Sequence, residues 1–335
     1  MSESIKNSSD FLFIFEAIQC NPNGDPDQEN KPRMDYDTQT NLVTDTRIKR
    51  YIRDYLKSEG KEIFVDMEGD RQVTMDKKLE AIVKRTIEED GLLEKIFENN
   101  TERLKIYKDL INSKKSTEEV LKSLKDKKLK EVNIDLVKYL IKNRFFDIRA
   151  FGSAFAVEGF NKSYTGPIQL NWGYSFNKVE LIESNSIVTI MNEDSSTFGK
   201  DYRVYYSLLG FNGTINQNAA RSTGLSEEDL TIFRSAIWNS IPSNPTRSKL
   251  NQYPKLYCEL IYKEGISNGQ YGDLRNYIVV TPKDSVSEKQ VRCYKDLNIN
   301  FDGLKELIKY DKANDKKIIN VIVKTSTDIN FEINI

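Results

Sequence analysis

The stretch NPNGDPDQENKPRMDYDTQTNLVTDTRIKRYIR (Asn21–Arg53) organises the rest of the chain. It follows an apolar run, Phe11–Ile18, whose aromatic and β-branched residues predict a central strand. Its Asn-Pro, Asn-Gly and Asp-Pro pairs predict turns, which continue neither a helix nor a sheet. It ends in a helix with opposed apolar and basic faces, capped by Thr44 or Asp45 and running to about Lys57. A strand, a long polar loop and a basic helix can together hold a phosphodiester backbone against a sheet.

Composition restricts the possible functions. The 335 residues suffice for two domains, or for one large domain with insertions. With 50 Lys and Arg against 51 Asp and Glu, any nucleic-acid site must come from local placement of cations. The chain contains no His, which excludes His-dependent nucleophiles, general bases and metal ligands. Its three Cys are far apart, so we expect no disulfide framework, no zinc site and no cofactor.

Two observations predict a cytoplasmic location. The first ten residues, MSESIKNSSD, are polar and unlike a signal peptide. In addition, no apolar run of the sequence is long enough to cross a bilayer. We therefore expect no membrane partner.

Beyond the first helix the sequence pattern changes twice. From about Gly60 to Asn143, Lys, Glu and Leu dominate without strand alternation, which predicts a helical insertion. Strand character returns at Phe145–Ala150, and two long strands around a polar tip at Met191–Arg203 predict a projecting hairpin. The resulting order is strand, helix, helical insert, two strands, helix and strand. It predicts an α+β protein with a split ferredoxin-like pattern and additions.

Cations in the first loop and helix form the first candidate site. A groove for nucleic acid needs positive charges at phosphate spacing, together with amide and backbone donors. The alternative is a solvated polar helix face, and both interpretations stay open at this point. The cations are Lys31, Arg33, Arg47, Lys49, Arg50 and Arg53.

The same loop also carries clustered carboxylates. Such a cluster can bind Mg²⁺ or activate a water molecule, although a turn-rich acidic loop is commonly just solvated. The spacing does not match an EF-hand calcium loop. The cluster keeps a metal-dependent ribonuclease open as a hypothesis, and its members are Asp25, Asp27, Glu29, Asp35 and Asp37.

Glycines and aromatic residues supply weaker signals. Gly152, Gly159 and Gly166 either permit close approach of a polynucleotide backbone or mark ordinary turns. The apolar residues Met191 and Phe198 at the hairpin tip either fold back as a small cap or wedge against bases. Four further aromatic residues are interpreted as sheet core rather than base stackers: Tyr164, Trp172, Tyr174 and Phe176.

The motifs resemble a known family. NPNGDPDxxNxPRxD followed by VTDxxIKRxIRD is similar to the guide-RNA-binding backbone subunit of type I CRISPR Cascade complexes. The resemblance points to the I-B and I-C branch within the RAMP superfamily. Further blocks extend it in the family's order over roughly residues 10–245: DIRAFG (Asp147–Gly152), TGPIQLNWGYS (Thr165–Ser175), YRVYYSLLGFNGTIN (Tyr202–Asn216) and ARSTGLSEEDL (Ala220–Leu230).

The resemblance implies a shape and a function. The shape is a ferredoxin-like (RRM-like) palm formed by residues 1–59 and 144–335, with helical fingers at 60–143 and a thumb hairpin at about 183–205. Copies of the subunit would oligomerise along the guide RNA (crRNA) and contact other Cascade subunits. They would support pairing of the guide with a target DNA strand in antiviral defence, without catalysing a reaction themselves.

The resemblance also implies which residues contact RNA. Guide phosphates would be held by Lys49, Arg50 and Arg53. A base flipped by the thumb would meet Met191 and Phe198. The rest of the predicted RNA surface comprises Asn21, Asn23, Lys31, Arg33, Arg47, Arg149, Phe151, Gly152, Asn161, Lys162 and Arg203.

Two other functions stay open. Relatives in type III complexes carry a catalytic Asp in the corresponding loop and cut bound RNA, so Asp25 or Asp35 would serve a metal-dependent ribonuclease. The loop matches the type I pattern, whose backbone subunits do not cut, and this favours a non-enzymatic subunit. A plain RNA-binding module outside CRISPR systems is the third possibility.

Overall fold

A computed structural model of the chain combines helices and strands in an α+β arrangement. The structure describes residues 3–66, 75–89, 91, 93–94, 97, 100–114, 116–124, 129–157, 160–182, 186–189, 197–329 and 331. The strands are β1 (Ser9–Cys20), β2 (Gly24–Asp25), β3 (Lys31–Pro32), β4 (Met34–Asp35), β5 (Thr40–Val43), β6 (Gly152–Val157), β7 (Phe160–Thr165), β8 (Ile168–Leu170), β9 (Gly173–Ser175), β10 (Ser186–Thr189), β11 (Thr197–Lys200), β12 (Val204–Ile215), β13 (Gln252–Tyr262), β14 (Val279–Pro282), β15 (Leu297–Asn300) and β16 (Ile318–Thr325). The helices are α1 (Asp45–Ser58), α2 (Met75–Glu88), α3 (Thr101–Ser113), α4 (Thr117–Leu124), α5 (Lys130–Arg144), α6 (Phe146–Phe151), α7 (Gln217–Thr223), α8 (Glu227–Ser243) and α9 (Asp302–Ala313).

Strand β1 lies at the centre of the main sheet, as its sequence predicts. It pairs antiparallel with β12 on one side and with β13 on the other. The described strands of this sheet follow the order β16-β13-β1-β12-β9-β5-β4, and β8 also pairs with β12. Phe11, Phe13 and Phe15 pack into one apolar layer, whereas Leu12 and Ile14 pack into the other. Because β1 is buried on both faces, its sequence is a nearly continuous apolar run.

Helices and turns cover both faces of the sheet. Helices α1 and α8 cover the first face, where Tyr51 and Phe233 join the same apolar cluster as Phe11. Helix α9 and the 3₁₀ turn Leu274–Tyr277 cover the second face. In the part of the chain that the structure describes, the sheet is therefore open to a large ligand at its ends and edges.

Helices α2 to α5 occupy the part of the chain where the sequence predicts a helical insertion. They share an apolar cluster of their own, in which Tyr107 is fully buried among residues such as Leu79 and Leu136. Phe145 and Tyr164 belong to this cluster and connect it to the rest of the chain. The assignment of residues 60–143 to a separate finger unit stays a prediction. Among the described residues, no helix is long and apolar enough to cross a membrane.

The predicted strand at Phe145–Ala150 is wrong, because this segment forms helix α6. The helix buries Phe146 and Ile148 together with the carboxylate of Asp147. The segment FFDIRA is short, and the spacing of its apolar residues does not distinguish a strand from a helix. The hydrogen bonds of Asp147 to distant parts of the chain, described below, hold the segment in place as a helix.

The predicted hairpin differs in its strand bounds. Its polar segment contains a strand of its own, β11, which pairs antiparallel with β10. The tip between them, which includes Met191, lies outside the described residues. The hairpin therefore consists of two short strands next to the long strand β12.

Candidate nucleic-acid interface

Two buried asparagines hold the loop after β1 in place. The Asn21 side-chain amide donates to the carbonyl of Asn30 at 2.8 Å. The Asn23 side-chain oxygen accepts from the backbone N–H of Thr44 at 2.8 Å and from its hydroxyl at 2.9 Å. Thr44 is the N-cap of α1, because its hydroxyl accepts from the N–H of Arg47 at 3.2 Å. Both predicted RNA-binding asparagines thus shape the loop and start the helix from inside the protein.

Lys49 and Arg50 of α1 are paired with carboxylates. Lys49 donates to Asp45 at 3.0 Å and to the side-chain oxygen of Gln169 in β8 at 3.2 Å. Arg50 pairs with Asp54 at 2.7 Å, and 42% of its side chain is exposed. An exposed pair of this kind contributes little to the free energy of unfolding. A phosphate can therefore replace Asp54 as the partner of the Arg50 guanidinium with little loss of stability.

Arg53 lies deeper than the sequence pattern suggests. Its side chain is only 14% exposed, and its Nε donates to Asp147 at 3.1 Å. Asp147 is fully buried and also accepts from the N–H groups of Phe64 at 2.8 Å and Val65 at 2.9 Å. This carboxylate therefore joins α1, the chain that follows it and α6, which the sequence pattern does not reveal.

Three cations near the loop lack a carboxylate within 4 Å among the residues that the structure describes. Lys31 lies over the ring of Tyr202 at 5.1 Å, and Arg47 lies over the ring of Tyr51 at 4.1 Å. The third, Lys249, donates to the backbone carbonyl of Asn21. Burial, and after it the charge of Arg47, lowers the pKa of Lys249 to about 7. A phosphate placed here would relieve the repulsion between the two cations.

Lys249 belongs to a turn that the sequence reasoning missed. The carbonyl of Ser248 accepts from the N–H of Asn21 at 2.8 Å, so this turn lies directly against the first loop. Arg203 donates to the carbonyl of Arg247 at 3.1 Å and to that of Gln19 at 3.0 Å. Arg247 and Lys249 stand about 200 residues after the loop in sequence, and only the pairing of β13 with β1 brings them to it.

The base of the hairpin is tied to the same loop. Lys200 donates to Glu29 at 2.7 Å, and the hydroxyl of Tyr202 donates to Glu29 at 2.9 Å. The predicted wedge residue Phe198 lies on β11, and Asn161 and Lys162 lie on β7. The side chains of these three residues, like the whole of Met191, are outside the part of the chain that the structure describes.

Gly152, Gly166 and Phe151 support protein contacts, whereas Gly159 lies outside the described residues. Gly152 has a φ of +72°, and a Cβ there would lie 2.1 Å from the carbonyl oxygen of Tyr164. A Cβ at Gly166 would lie 2.1 Å from the carbonyl carbon of Phe151. The space at both glycines is therefore filled by the protein's own backbone. Phe151 is buried, with the guanidinium of Arg53 at 5.3 Å from its ring.

Arg149 forms a bidentate ion pair. Its Nη2 and Nε donate to the two oxygens of Asp229 at 2.7 and 2.9 Å. Asp229 also completes the capping box of α8 with Ser226. Arg149 thus connects α6 to the start of α8.

Three of the loop carboxylates, Asp25, Glu29 and Asp35, are engaged in turns and ion pairs. Asp25 pairs with Arg33 at 3.1 Å. The Thr38 hydroxyl donates to Asp35 and lowers the pKa of this carboxyl group below its usual value. In the same way, Lys200 lowers the pKa of Glu29. Within the described ranges, no three Cys, Asp or Glu side chains come together as a metal site.

The interpretation of Trp172 as sheet core is wrong, whereas Tyr164 does lie in a core. Tyr164 is 4% exposed, but Trp172, which stands in the short connection between β8 and β9, is 48% exposed. The guanidinium carbon of Arg33 lies 5.8 Å from the Trp172 ring. Tyr174 and Phe176 are half-buried. An exposed indole therefore stands beside the loop that carries the predicted RNA-binding cations.

Comparison with known proteins identifies the family of this chain. The family model for CRISPR-associated protein Cas7 matches residues 7–302, which include the first loop, α1, α6 and β9. The chain belongs to the Cas7 family. Membership of the family that the loop and the following blocks resemble is thus confirmed, and the I-B or I-C branch stays a prediction.

One known Cas7 protein and two solved chains match this chain over most of its length. The CRISPR-associated protein Cas7 of Haloferax volcanii is 29% identical over 325 residues, which covers 90% of this chain and 83% of the relative. Two solved chains, named "CRISPR RNA-guided surveillance complex, pre-nicking" and "CRISPR RNA-guided surveillance complex", match with TM-scores of 0.48 and 0.43. Each is 12% identical and covers 96% of this chain, and the match spans 94% and 93% of their own lengths.

Proposed function

We propose that this Cas7-family chain is a non-catalytic, guide-RNA-binding backbone subunit of a type I CRISPR interference complex. The observation that carries the proposal is the group of cations around the first loop, in which α1 supplies Arg47, Lys49 and Arg50 and the turn before β13 supplies Lys249. Phosphate contacts dominate the binding of nucleic acid by such groups, so the subunit would hold RNA without reading its sequence. Sequence would be read by pairing between the guide and a target DNA strand.

The strand order supports a ferredoxin-like palm. Strands β13, β1, β12 and then β8 with β9 lie side by side and antiparallel. Helix α1 follows β1, and helix α8 lies between β12 and β13 in sequence. This is the βαββαβ connection of the split ferredoxin-like pattern. Within it, we propose residues 60–143 as fingers and residues 183–205 as the thumb.

The near-neutral net charge fits a subunit with several protein partners. A total of −1 shows that the cations near the loop are balanced by acidic residues elsewhere. The surfaces that carry these acidic residues suit contacts with further copies of this chain and with other subunits of the complex. In this arrangement the cations would line a continuous path for RNA across adjacent copies.

A salt titration of RNA affinity tests the proposal. The double change Lys49→Ala with Arg50→Ala should weaken binding of labelled single-stranded RNA equally for unrelated sequences. Removing the cation that neutralises one phosphate should reduce the slope of log K against log salt by about 0.7, hence by about 1.4 for the pair. Fluorescence anisotropy across a range of salt concentrations measures both effects.

A matched control removes the same charge elsewhere. Lys309 and Lys312 are exposed on α9, which covers the opposite face of the sheet. Their replacement by Ala should leave the slope unchanged. Equal slope changes in the two double variants would show that only net charge matters, and the proposed interface would be wrong.

The rival ribonuclease makes a different prediction. It requires Mg²⁺-dependent cleavage of bound or complementary RNA that is abolished by Asp25→Ala or Asp35→Ala. The pairing of Asp25 with Arg33 and of Asp35 with Thr38 favours a structural role for both carboxylates. We therefore expect intact RNA after prolonged incubation with the protein and Mg²⁺.

A further inference from the structure

We propose that Trp172 is a stacking platform for one unpaired base of the bound single-stranded RNA. The inference rests on the proposed function, because it assumes that RNA follows the cations of the first loop and α1. Aromatic side chains beside a basic track are a general means of binding single strands, because every base has a flat face that can stack. No motif of the sequence marked this residue as a contact.

The surroundings of Trp172 place it on the proposed path. Gly173, the next residue, pairs with Val43, which directly precedes the N-cap of α1. Gln169, three residues earlier, accepts from Lys49 at 3.2 Å. The indole therefore lies between the loop and the strand that the basic helix contacts.

The backbone beneath the indole is fixed. The carbonyl of Trp172 accepts from Nη1 of Arg275 at 2.8 Å, and this guanidinium is held by Asp273 at 2.5 Å. The N–H of Asn171 donates to the carbonyl of Asn212 at 3.0 Å. Gly173 lies so close to the ring of Phe211 that an added Cβ would come within 2.2 Å of it. A platform held in this way loses little conformational freedom when a base stacks on it.

Arg33 supplies the charge that favours a nucleotide over another occupant. Its side chain is partly exposed and lies beside the indole ring. Its Nε is buried without a hydrogen-bond partner among the described residues. A guanidinium next to an indole offers a phosphate contact and a stacking surface to the same nucleotide.

The chain provides its own spectroscopic control. It contains two tryptophans, Trp172 and Trp238. Trp238 is partly buried on α8, and Lys324 lies 4.8 Å from its ring centroid. The change Trp238→Phe leaves Trp172 as the single indole, and Trp172→Phe leaves Trp238. Titration with oligoadenylate should quench most of the emission of Trp238→Phe and little of the emission of Trp172→Phe.

Affinity measurements complete the test. Trp172→Ala should weaken RNA binding about 5- to 150-fold, the range expected for removal of one stacked base, and leave the salt slope unchanged. Trp172→Phe should retain most of the affinity. Because the side chain is half-exposed, the alanine variant should fold, as circular dichroism would verify.

The outcomes separate this inference from the proposed function. RNA binding without quenching in Trp238→Phe, together with unchanged affinity in Trp172→Ala, would overturn the stacking role alone. Failure of the unmodified protein to bind RNA would overturn the proposed function. An emission shift in Trp238→Phe that follows protein concentration without RNA would show that a second copy covers the indole, which also contradicts the inference.

Discussion

Replacing Asp147 with alanine should loosen the junction between α1, the chain that follows it and α6. The Asp147 carboxylate is fully buried and accepts three hydrogen bonds, from Arg53, Phe64 and Val65. The alanine variant leaves a guanidinium and two N–H groups without their acceptor. Removal of one partner from a buried ion pair costs about 3–5 kcal/mol.

The expected change in melting temperature follows from the size of the chain. An unfolding entropy of about 2.1 cal/mol/K per residue gives about 0.7 kcal/mol/K for 335 residues. A decrease of about 3–5 kcal/mol in the free energy of unfolding then corresponds to a melting temperature lower by about 4–7 °C, for a chain that unfolds as one unit. Thermal unfolding followed by circular dichroism or calorimetry measures this shift.

Asp54→Ala is the matched control in the same region. It removes a partly exposed carboxylate from the ion pair with Arg50, so the expected cost is about 0–1 kcal/mol. If the melting temperature of Asp147→Ala fell by no more than that of Asp54→Ala, the reasoning that Asp147 holds these segments together would be refuted.

Two further predictions concern Lys249 and Gly152. The pKa of Lys249 is lowered to about 7, and a bound phosphate would raise it, so RNA binding takes up a proton and affinity should fall as pH rises from about 6 to 9. Lys249→Arg should abolish this dependence, measured by anisotropy at fixed salt; an unchanged profile would contradict the placement of Lys249 beside a phosphate. Gly152→Ala should be much more destabilising than Gly60→Ala. Both glycines have a positive φ, which alone costs an alanine about 1–2 kcal/mol. A Cβ at Gly152 would in addition collide with backbone atoms, whereas a Cβ at Gly60 would have no atom within 4 Å. Equal melting temperatures for these two variants would show that the close backbone contact is relieved at no cost.

Local patterns predicted the elements whose residues are neighbours in sequence. Strand β1 was predictable because both of its faces are buried, which makes the run continuous. Helix α1 was predictable because Thr44 caps it and its apolar residues repeat at helical spacing. The family was predictable because the loop between them carries a long motif.

Contacts between distant segments were not predictable. The partner of Arg53 is Asp147, which stands 94 residues later, so spacing within α1 suggested a free basic face. The same carboxylate stabilises α6 where the sequence favoured a strand. Lys249 reaches the loop only through the pairing of β13 with β1. Trp172 was interpreted as sheet core, but it stands in the short connection between β8 and β9 and is exposed.

The central claim is that copies of this chain bind single-stranded RNA side by side. The most direct measurement is the mass of the complexes formed on single-stranded RNAs of increasing length, by mass photometry or light scattering at low salt. The account predicts that the number of bound copies rises by one for each fixed increment of RNA length, for unrelated sequences alike. A single bound copy at every length, or no bound RNA at all, would contradict it.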